Sequence, residues 1–178
     1  MTSPALFLDR DGVINIDYGY VHSPDNFIFL DGVFDIVSQA CSSGYRVVVV
    51  TNQAGIGRGY YTEQDFYSLT EWMKSQFALN GGFIDAVYFC PHHPTAGIGL
   101  YRKECSCRKP SPGMLLQAQL DLDIDLHSSL LVGDKLSDMD AGLSAGISNL
   151  FYFNGRAENC TTIYSLSELL PFLSTPVL

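Results

Sequence analysis

The feature that most constrains this chain is a recurrence of short apolar runs, each ending in a polar or glycine-containing segment. One of them, Val47–Val50, consists of four aliphatic residues in succession. Segments with helical periodicity separate the runs. Strands that alternate with helices predict an α/β fold, with a doubly wound parallel sheet and helices on both faces. The expected strands are 5–8, 46–50, 86–89, 130–132 and 150–153.

Five helices are expected between and after these strands. Thr62 followed by Asp65 is a plausible helix start, and apolar residues recur behind it at helical spacing. The chain shows no internal repeat, linker or low-complexity tract, so its 178 residues are expected to form one domain, 1–178. The predicted helices span 33–41, 62–80, 112–120, 138–145 and 166–173.

No apolar stretch reaches the roughly 20 residues that a membrane helix needs. The N-terminus also lacks the charged segment and apolar run of a signal peptide. A cytoplasmic location is therefore expected, and nothing in the sequence demands more than a monomer.

The charge distribution indicates a small anionic ligand rather than a nucleic acid or a membrane. The net charge of −9 disfavours both of those polyanionic partners. Half of the ten Lys and Arg residues nevertheless fall in the segments that carry the motifs below. A chance scatter of solubility charges is the alternative. These five cations are Arg10, Arg58, Arg108, Lys109 and Lys135.

Polar side chains follow the predicted strands at the points where they end. In parallel sheets the carboxyl ends of the strands share one edge, where ligands bind. Asp9 and Asp11 follow the first strand, and one spacer in an extended segment would direct both to the same side. With Asp134 they offer oxygen ligands of the kind that Mg²⁺ prefers. The alternative is a turn that is rich in helix-capping acids.

The other strand ends favour the functional interpretation. Thr51 and Asn52 offer a hydroxyl and an amide, and Lys109 and Lys135 offer positive charges. With the acids they supply a nucleophile, an acid/base group, a metal site and donors for phosphate oxygens.

A second metal site is predicted in the segment at about 90–107. Two Cys-x-ligand pairs, Cys90 with His92 and Cys105 with Cys107, form a tetrahedral ligand set suited to structural Zn²⁺. His93 is a possible substitute for His92, and unliganded thiols are the alternative. Cys41 and Cys160 lie apart and are expected to be small buried apolar residues.

The position of this zinc loop, residues 90–107, has a functional consequence. Arg108 and Lys109 directly follow its last predicted ligand. A bound metal would fix an otherwise irregular insertion and direct both cations into the site.

These motifs together resemble the haloacid dehalogenase (HAD) superfamily of phosphohydrolases. The resemblance rests on Asp9-x-Asp11-Gly12, Thr51, Lys109 and Gly133-Asp134-x-x-x-Asp138, and it extends over nearly the whole chain. It implies a Rossmann-like HAD fold with a minimal cap.

It also implies a two-step mechanism. Asp9 would attack phosphorus, and Asp11 would act as general acid and then as general base. Mg²⁺ would bind the Asp9 and Asp134 carboxylates and the Asp11 backbone carbonyl, while Thr51 and Lys109 would hold the transferring oxygens. Asp138 would orient Lys135 or a metal-bound water, or would cap the next helix.

Within the superfamily, the zinc loop resembles two families. One comprises the D-glycero-D-manno-heptose 1,7-bisphosphate phosphatases, which serve lipopolysaccharide and surface-heptose precursor synthesis, and the other the histidinol-phosphate phosphatases. The segments 17–22, 51–59, 90–94, 107–110 and 133–135 look like the heptose enzymes. That resemblance implies a small sugar bisphosphate as substrate, with loss of its C7 phosphate.

The same resemblance implies a set of substrate contacts. Arg108, together with Arg58, would bind the phosphate that does not react, whereas Asp17 would suit the cation of histidinol phosphate. Tyr18 and Tyr20 would equally suit packing of a loop on the domain. An inactive zinc-binding interaction module is the alternative from another class. The implied contacts are Asp17, Tyr18, Gly19, Tyr20, Thr51, Asn52, Gln53, Ala54, Arg108, Lys109 and Lys135.

Overall fold

The computed structural model describes residues 2–174 of the chain. Residues 1 and 175–178, which the predicted domain includes, lie outside the described residues. The strands are β1 (Ala5–Leu8), β2 (Arg46–Asn52), β3 (Ala86–Cys90), β4 (Leu130–Gly133), β5 (Asn149–Phe153) and β6 (Thr161–Ile163). The α-helices are α1 (Val33–Ser42), α2 (Ala54–Gly57), α3 (Glu63–Leu79), α4 (Gly113–Leu122), α5 (Leu136–Ala145) and α6 (Leu170–Leu173). Short 3₁₀ turns lie at Pro24–Asn26, Gly99–Tyr101 and Leu166–Leu169.

Within residues 2–174 the strands form one parallel sheet in the order β3-β2-β1-β4-β5-β6. The first strand therefore lies in the middle, where Leu6 pairs with Val47 on one side and Leu130 on the other. All four residues of β1 are fully buried, as expected for a central parallel strand. The predicted α/β class and doubly wound sheet are confirmed.

Alternate residues of the strands supply two separate cores, one on each face of the sheet. Leu6 and Leu8 belong to a core with α1, α3 and α6, whereas Ala5 and Phe7 belong to a core with α4 and α5. This division follows from the two-residue period of a strand. Both faces are covered, which explains why β1 is apolar throughout.

The predicted start of the long helix α3 is confirmed. Thr62 Oγ1 accepts the backbone N–H of Asp65 at 3.1 Å, and Asp65 Oδ2 accepts the N–H of Thr62 at 2.8 Å. This reciprocal capping box satisfies two backbone donors that the first turn of a helix leaves free.

Two C-terminal elements differ from the prediction. The helix expected over 166–173 is a 3₁₀ turn followed by α6, because Pro171 has no N–H to continue a single helical ladder. Strand β6 was not predicted, since three residues are too few to show a two-residue period. In residues 2–174 no helix combines the length and apolarity of a membrane span.

Candidate active site

A cavity of about 580 Å³ opens at the carboxyl ends of the central strands. Eleven residues that the sequence marked as site residues line it: Asp9, Asp11, Asp17, Gly19, Tyr20, Asn52, Gln53, Ala54, Arg108, Lys109 and Lys135. Three marked residues, Tyr18, Thr51 and Asp134, are not among its lining residues. The sequence did not mark Gly55, Tyr61, Pro110 and Ser137, which also line it, and it placed the lining residue Asp138 only in a supporting role.

A buried ion-pair network lies at the end of β1. Lys109 Nζ is 2.9 Å from Asp9 Oδ1 and 2.7 Å from Asp138 Oδ1, and it also donates to the carbonyl of Val50. Burial alone would lower the pKa of Lys109, but the two carboxylates together raise it. Burial also raises the pKa of Asp9, against the opposing effect of Lys109. Lys109 is therefore held protonated beside a partly charge-compensated Asp9.

Asp138 has a different role from the one expected. Its carboxylate pairs with the side chain of Lys109, and its Oδ2 accepts the backbone N–H of Lys135 at 3.0 Å. The second contact caps the start of α5, which confirms that alternative. Within residues 2–174 the contact of Asp138 with Lys135 is made through the Lys135 backbone, and the orientation of a metal-bound water by Asp138 stays a prediction.

Three carboxylates gather next to this network. Oxygen atoms of Asp9, Asp134 and Asp138 lie within 4.8 Å of one another. Burial, followed by the nearby Asp9 carboxylate, raises the pKa of Asp134 to about 7. Asp134 Oδ1 is buried and has no hydrogen-bond partner within residues 2–174. Crowded hard oxygen donors with an unpartnered buried oxygen fit a divalent cation such as Mg²⁺.

Two glycines make room for these acids. A Cβ on Gly12 would lie 2.1 Å from Asp134 Oδ2, and Gly12 has a φ of +93°. A Cβ on Gly133 would lie 2.2 Å from the Cβ of Asp138. The glycine that follows the Asp-x-Asp pair is therefore required by both its backbone conformation and the space that Asp134 occupies.

The carboxylate of Asp11 is separate from the three-acid cluster. It accepts hydrogen bonds from Arg10 Nη2 at 2.8 Å, Asn15 Nδ2 at 3.0 Å and Gln53 Nε2 at 3.0 Å. Asp9 and Asp11 therefore have different cationic partners, Lys109 for Asp9 and Arg10 for Asp11. The fully buried Arg10 neutralises Asp11 within the protein.

Gln53 connects Asp11 to two further side chains. Its Nε2 donates to Asp11 and, at 2.8 Å, to Thr51 Oγ1, while its Oε1 accepts the hydroxyl of Tyr61. Burial raises the pKa of Tyr61 to about 12, so this hydroxyl remains a donor. Thr51 is 1% exposed and lies beside Gln53, and its own O–H is left free to donate.

The five cations that the sequence grouped together divide into two sets. Arg108, Lys109 and Lys135 line the cavity. Arg10 is buried against Asp11, and Arg58 lies near the Tyr20 ring, 6.0 Å from its centroid. The expectation that all five serve a local anion is therefore wrong for Arg10, and Arg58 is not among the lining residues.

The loop between β1 and α1 forms one wall of the cavity. Asp17 and Tyr20 line it, and Asp17 Oδ2 lies 3.4 Å from Lys135 Nζ. Tyr20 also packs edge-on against Tyr60, at 4.8 Å between ring centroids. Tyr18 is 61% exposed and is not among the residues that line the cavity.

The zinc loop brings its four predicted ligands together. One ligand atom from each of Cys90, His92, Cys105 and Cys107 lies within 4.8 Å of the others. His93 is outside this cluster, and its Nδ1 accepts the N–H of Ala96 at 3.0 Å. Three soft sulfurs and one imidazole nitrogen fit a tetrahedral zinc ion.

The two remaining cysteines differ from the prediction. Cys41 and Cys160 are only half-buried, and the Sγ atom of each contacts a backbone carbonyl, that of Phe83 and that of Ala157 respectively. Both nevertheless pack against the hydrophobic cores, so the expectation of buried apolar residues is met in part.

The raised pKa of Asp134 predicts a pH-dependent loss of stability in magnesium-free buffer. Between about pH 4 and pH 7 the folded protein keeps a proton that the unfolded chain has released, so the free energy of unfolding falls as pH rises. The Asp134→Asn variant carries no such proton and should lose less stability over this range. Urea unfolding of both proteins across the pH range measures the difference, and saturating Mg²⁺ should restore the free energy of unfolding that the wild type loses by pH 7.

Parallel curves of unfolding free energy against pH for the two proteins would contradict the prediction. A chelator is avoided, because it would also strip metal from the predicted zinc site.

Comparisons with known proteins agree with this geometry. A HAD-hydrolase-like family profile matches residues 106–165. The chain is 53% identical, over 99% of its length and 96% of the relative's, to D-glycero-alpha-D-manno-heptose-1,7-bisphosphate 7-phosphatase of Burkholderia mallei. It is 54% identical to D-glycero-beta-D-manno-heptose-1,7-bisphosphate 7-phosphatase of Yersinia pestis, over 81% of this chain and 77% of that protein.

A solved structure shares the whole fold. It is the D,D-heptose 1,7-bisphosphate phosphatase of B. bronchiseptica, complexed with magnesium and phosphate. The TM-score is 0.84 at 31% identity, over 96% of this chain and 97% of that one. An inactive binding module is therefore excluded. The chain belongs to the HAD family of phosphatases, which are phosphoric monoester hydrolases that use Mg²⁺.

Proposed function

We propose that this enzyme removes the C7 phosphate of D-glycero-D-manno-heptose 1,7-bisphosphate through an aspartyl-phosphate intermediate. The observation that carries the proposal is the position of Asp9, a buried carboxylate held by Lys109 in a cavity that two further cations line. The names of relatives that match over most of the chain support this substrate. Residues 1–178 are proposed to act as one catalytic domain.

The reaction needs one nucleophile and one group that both gives and takes a proton. An Asp9 oxygen bonds to phosphorus as the bond from phosphorus to the C7 oxygen breaks, and Asp11 protonates the departing oxygen. Asp11 then takes a proton from the water that attacks the aspartyl-phosphate. Phosphate leaves and the Asp9 carboxylate is restored.

Preorganised donors hold the transferring oxygens during both steps. The hydroxyl of Thr51 is proposed as a donor to these oxygens, and Lys109 as a fixed positive charge beside them, because its three N–H groups already bond to Asp9, Asp138 and Val50. Such donors lower the barrier without reorganisation during the reaction.

The carboxylates of Asp9 and Asp134 and the backbone carbonyl of Asp11 would hold Mg²⁺. Its contribution is to shield the attacking carboxylate from the negative charge of the phosphate. The Cys90, His92, Cys105 and Cys107 cluster is proposed to bind structural Zn²⁺, since its four protein ligands leave no open position for chemistry.

The charges that line the cavity favour a bisphosphate over histidinol phosphate. Arg108 lines the cavity and is available to the phosphate that does not react. Asp17, the acid that would suit a cationic substrate, is instead paired with Lys135 at 3.4 Å. The remaining proposed contacts of the sugar come from residues that line the cavity, namely Gly19, Tyr20, Gln53 and Ala54.

A substrate panel tests the proposal directly. Phosphate release is measured with both heptose bisphosphate anomers and with histidinol phosphate, with and without Mg²⁺. We expect kcat/KM for one heptose anomer to exceed that for histidinol phosphate by roughly two orders of magnitude. A preference for histidinol phosphate would overturn the substrate assignment, and phosphate release that is independent of Mg²⁺ would overturn the mechanism.

A further inference from the structure

The side chain of Asn52 makes an unusual pair of contacts with a residue 57 positions away. Its Oδ1 accepts the backbone N–H of Lys109 at 3.0 Å, and its Nδ2 donates to the backbone carbonyl of Lys109 at 3.1 Å. One primary amide thus occupies both backbone groups of one residue. The same exchange of two hydrogen bonds joins paired residues in an antiparallel ladder.

These two hydrogen bonds lie where the backbone of Lys109 has no backbone pairing with β2. Asn52 is the last residue of β2, and Lys109 follows the zinc loop before α4 begins at Gly113. The next residue, Pro110, has no N–H to offer the sheet. Within residues 2–174, the only other hydrogen bond that Lys109 makes to β2 comes from its own Nζ, which donates to Val50. The backbone of Lys109 is therefore fixed to the sheet by Asn52.

Fixing this backbone matters because the lysine side chain is long. Four methylene groups separate its Cα from Nζ, and each rotatable bond allows the ammonium to move. Nζ nevertheless has to meet Asp9 at 2.9 Å and Asp138 at 2.7 Å at the same time. A fixed Cα restricts the rotamers that can satisfy both contacts.

We propose that Asn52 is a positioning residue for Lys109. The side chain of Asn52 acts on the reaction by holding the backbone of Lys109, and it does not contact substrate. This assignment rests on the proposed role of Lys109. It revises the substrate contact that the family resemblance implied for this side chain. Asn52 also provides a link between the end of the zinc loop and the end of β2.

The test uses the full-length, metal-loaded enzyme and two substrates, heptose bisphosphate and p-nitrophenyl phosphate, which has no sugar. We expect Asn52→Ala to lower kcat about 10- to 100-fold on both substrates, because Nζ loses its alignment on the transferring group. KM should change little on either substrate.

Asn26→Ala, at an exposed asparagine outside the cavity, is the matched control and should keep wild-type activity. Melting curves establish that each variant is folded, and Asn52→Asp, which keeps an acceptor for Lys109 N–H, replaces Asn52→Ala if the latter unfolds.

A double-mutant cycle separates positioning from a general structural effect. If Asn52 acts through Lys109, adding Asn52→Ala to Lys109→Met should cost no further activity. Three results would overturn the inference. The first is an Asn52→Ala variant with the kcat of the wild type, and the second is a change confined to a higher KM for the sugar bisphosphate. The third is that Asn52→Ala lowers kcat by the same factor in the Lys109→Met background as in the wild type. A Lys109→Met enzyme with wild-type activity would instead overturn the proposed role of Lys109, which is a distinguishable result.

Discussion

Replacing Asp9 with Asn is expected to lower kcat by roughly four to six orders of magnitude while the protein remains folded. The amide cannot form the aspartyl-phosphate, but its Oδ1 can still accept the contacts that Asp9 makes with Lys109 Nζ and the N–H of Arg10. Burial raises the pKa of Asp9, so removing this carboxylate also removes an unfavourable desolvation. The melting temperature in magnesium-free buffer should therefore stay equal or increase.

The control for this variant is Asp140→Asn, which removes an exposed acid from α5 and should leave kcat unchanged. Fresh protein and mass spectrometry are needed, because deamidation of the introduced amide would restore the nucleophile. Phosphate release at more than a few per cent of the wild-type rate, with that amide intact, would show that Asp9 is not the nucleophile.

Removing zinc is expected to cost several kcal/mol of stability and to weaken substrate binding. Structural zinc sites of this type supply folding free energy directly. For a domain of this size, each kcal/mol lost lowers the melting temperature by about 2–4 °C. Arg108 and Lys109 follow Cys107 immediately, so a disordered loop misplaces two cavity cations, and KM should rise as kcat falls.

Cys107→Ser is the genetic form of this experiment, and Cys160→Ser is its matched control outside the cluster. Zinc content is measured by mass spectrometry, and Mg²⁺ is added back in excess after any chelation. A zinc-free protein with normal melting and a normal KM would contradict the proposed role of the loop. Loss of stability in both variants would indicate a general effect of thiol removal.

The sequence predicted most of the elements that place the site. β1 was predicted at its observed bounds, because apolar burial on both faces leaves a clear run in the sequence. The four Cys and His residues of the zinc loop were also predicted to lie together, because metal ligands have characteristic residue types and spacings. These features are local, and local chemistry determines them.

Side-chain partners that depend on the folded arrangement could not be predicted in this way. Arg10 was grouped with the anion-binding cations, but its buried guanidinium pairs with Asp11. Tyr61 gave no signal, because it acts on Gln53, itself one step removed from Asp11. The use of the Asn52 amide by the Lys109 backbone depends on where the zinc loop returns to the sheet, which no spacing encodes.

The central position of β1 has a consequence for biosynthesis. β1 is made before the other five strands of this sheet, yet one of its two edges is covered only when β4 follows, since Leu6 pairs with Leu130. Until then a nascent chain carries an apolar strand with an open edge, a known risk for aggregation. Asp134 and Asp138 also lie beyond β4, so a partly synthesised chain can acquire neither the completed sheet nor the completed site.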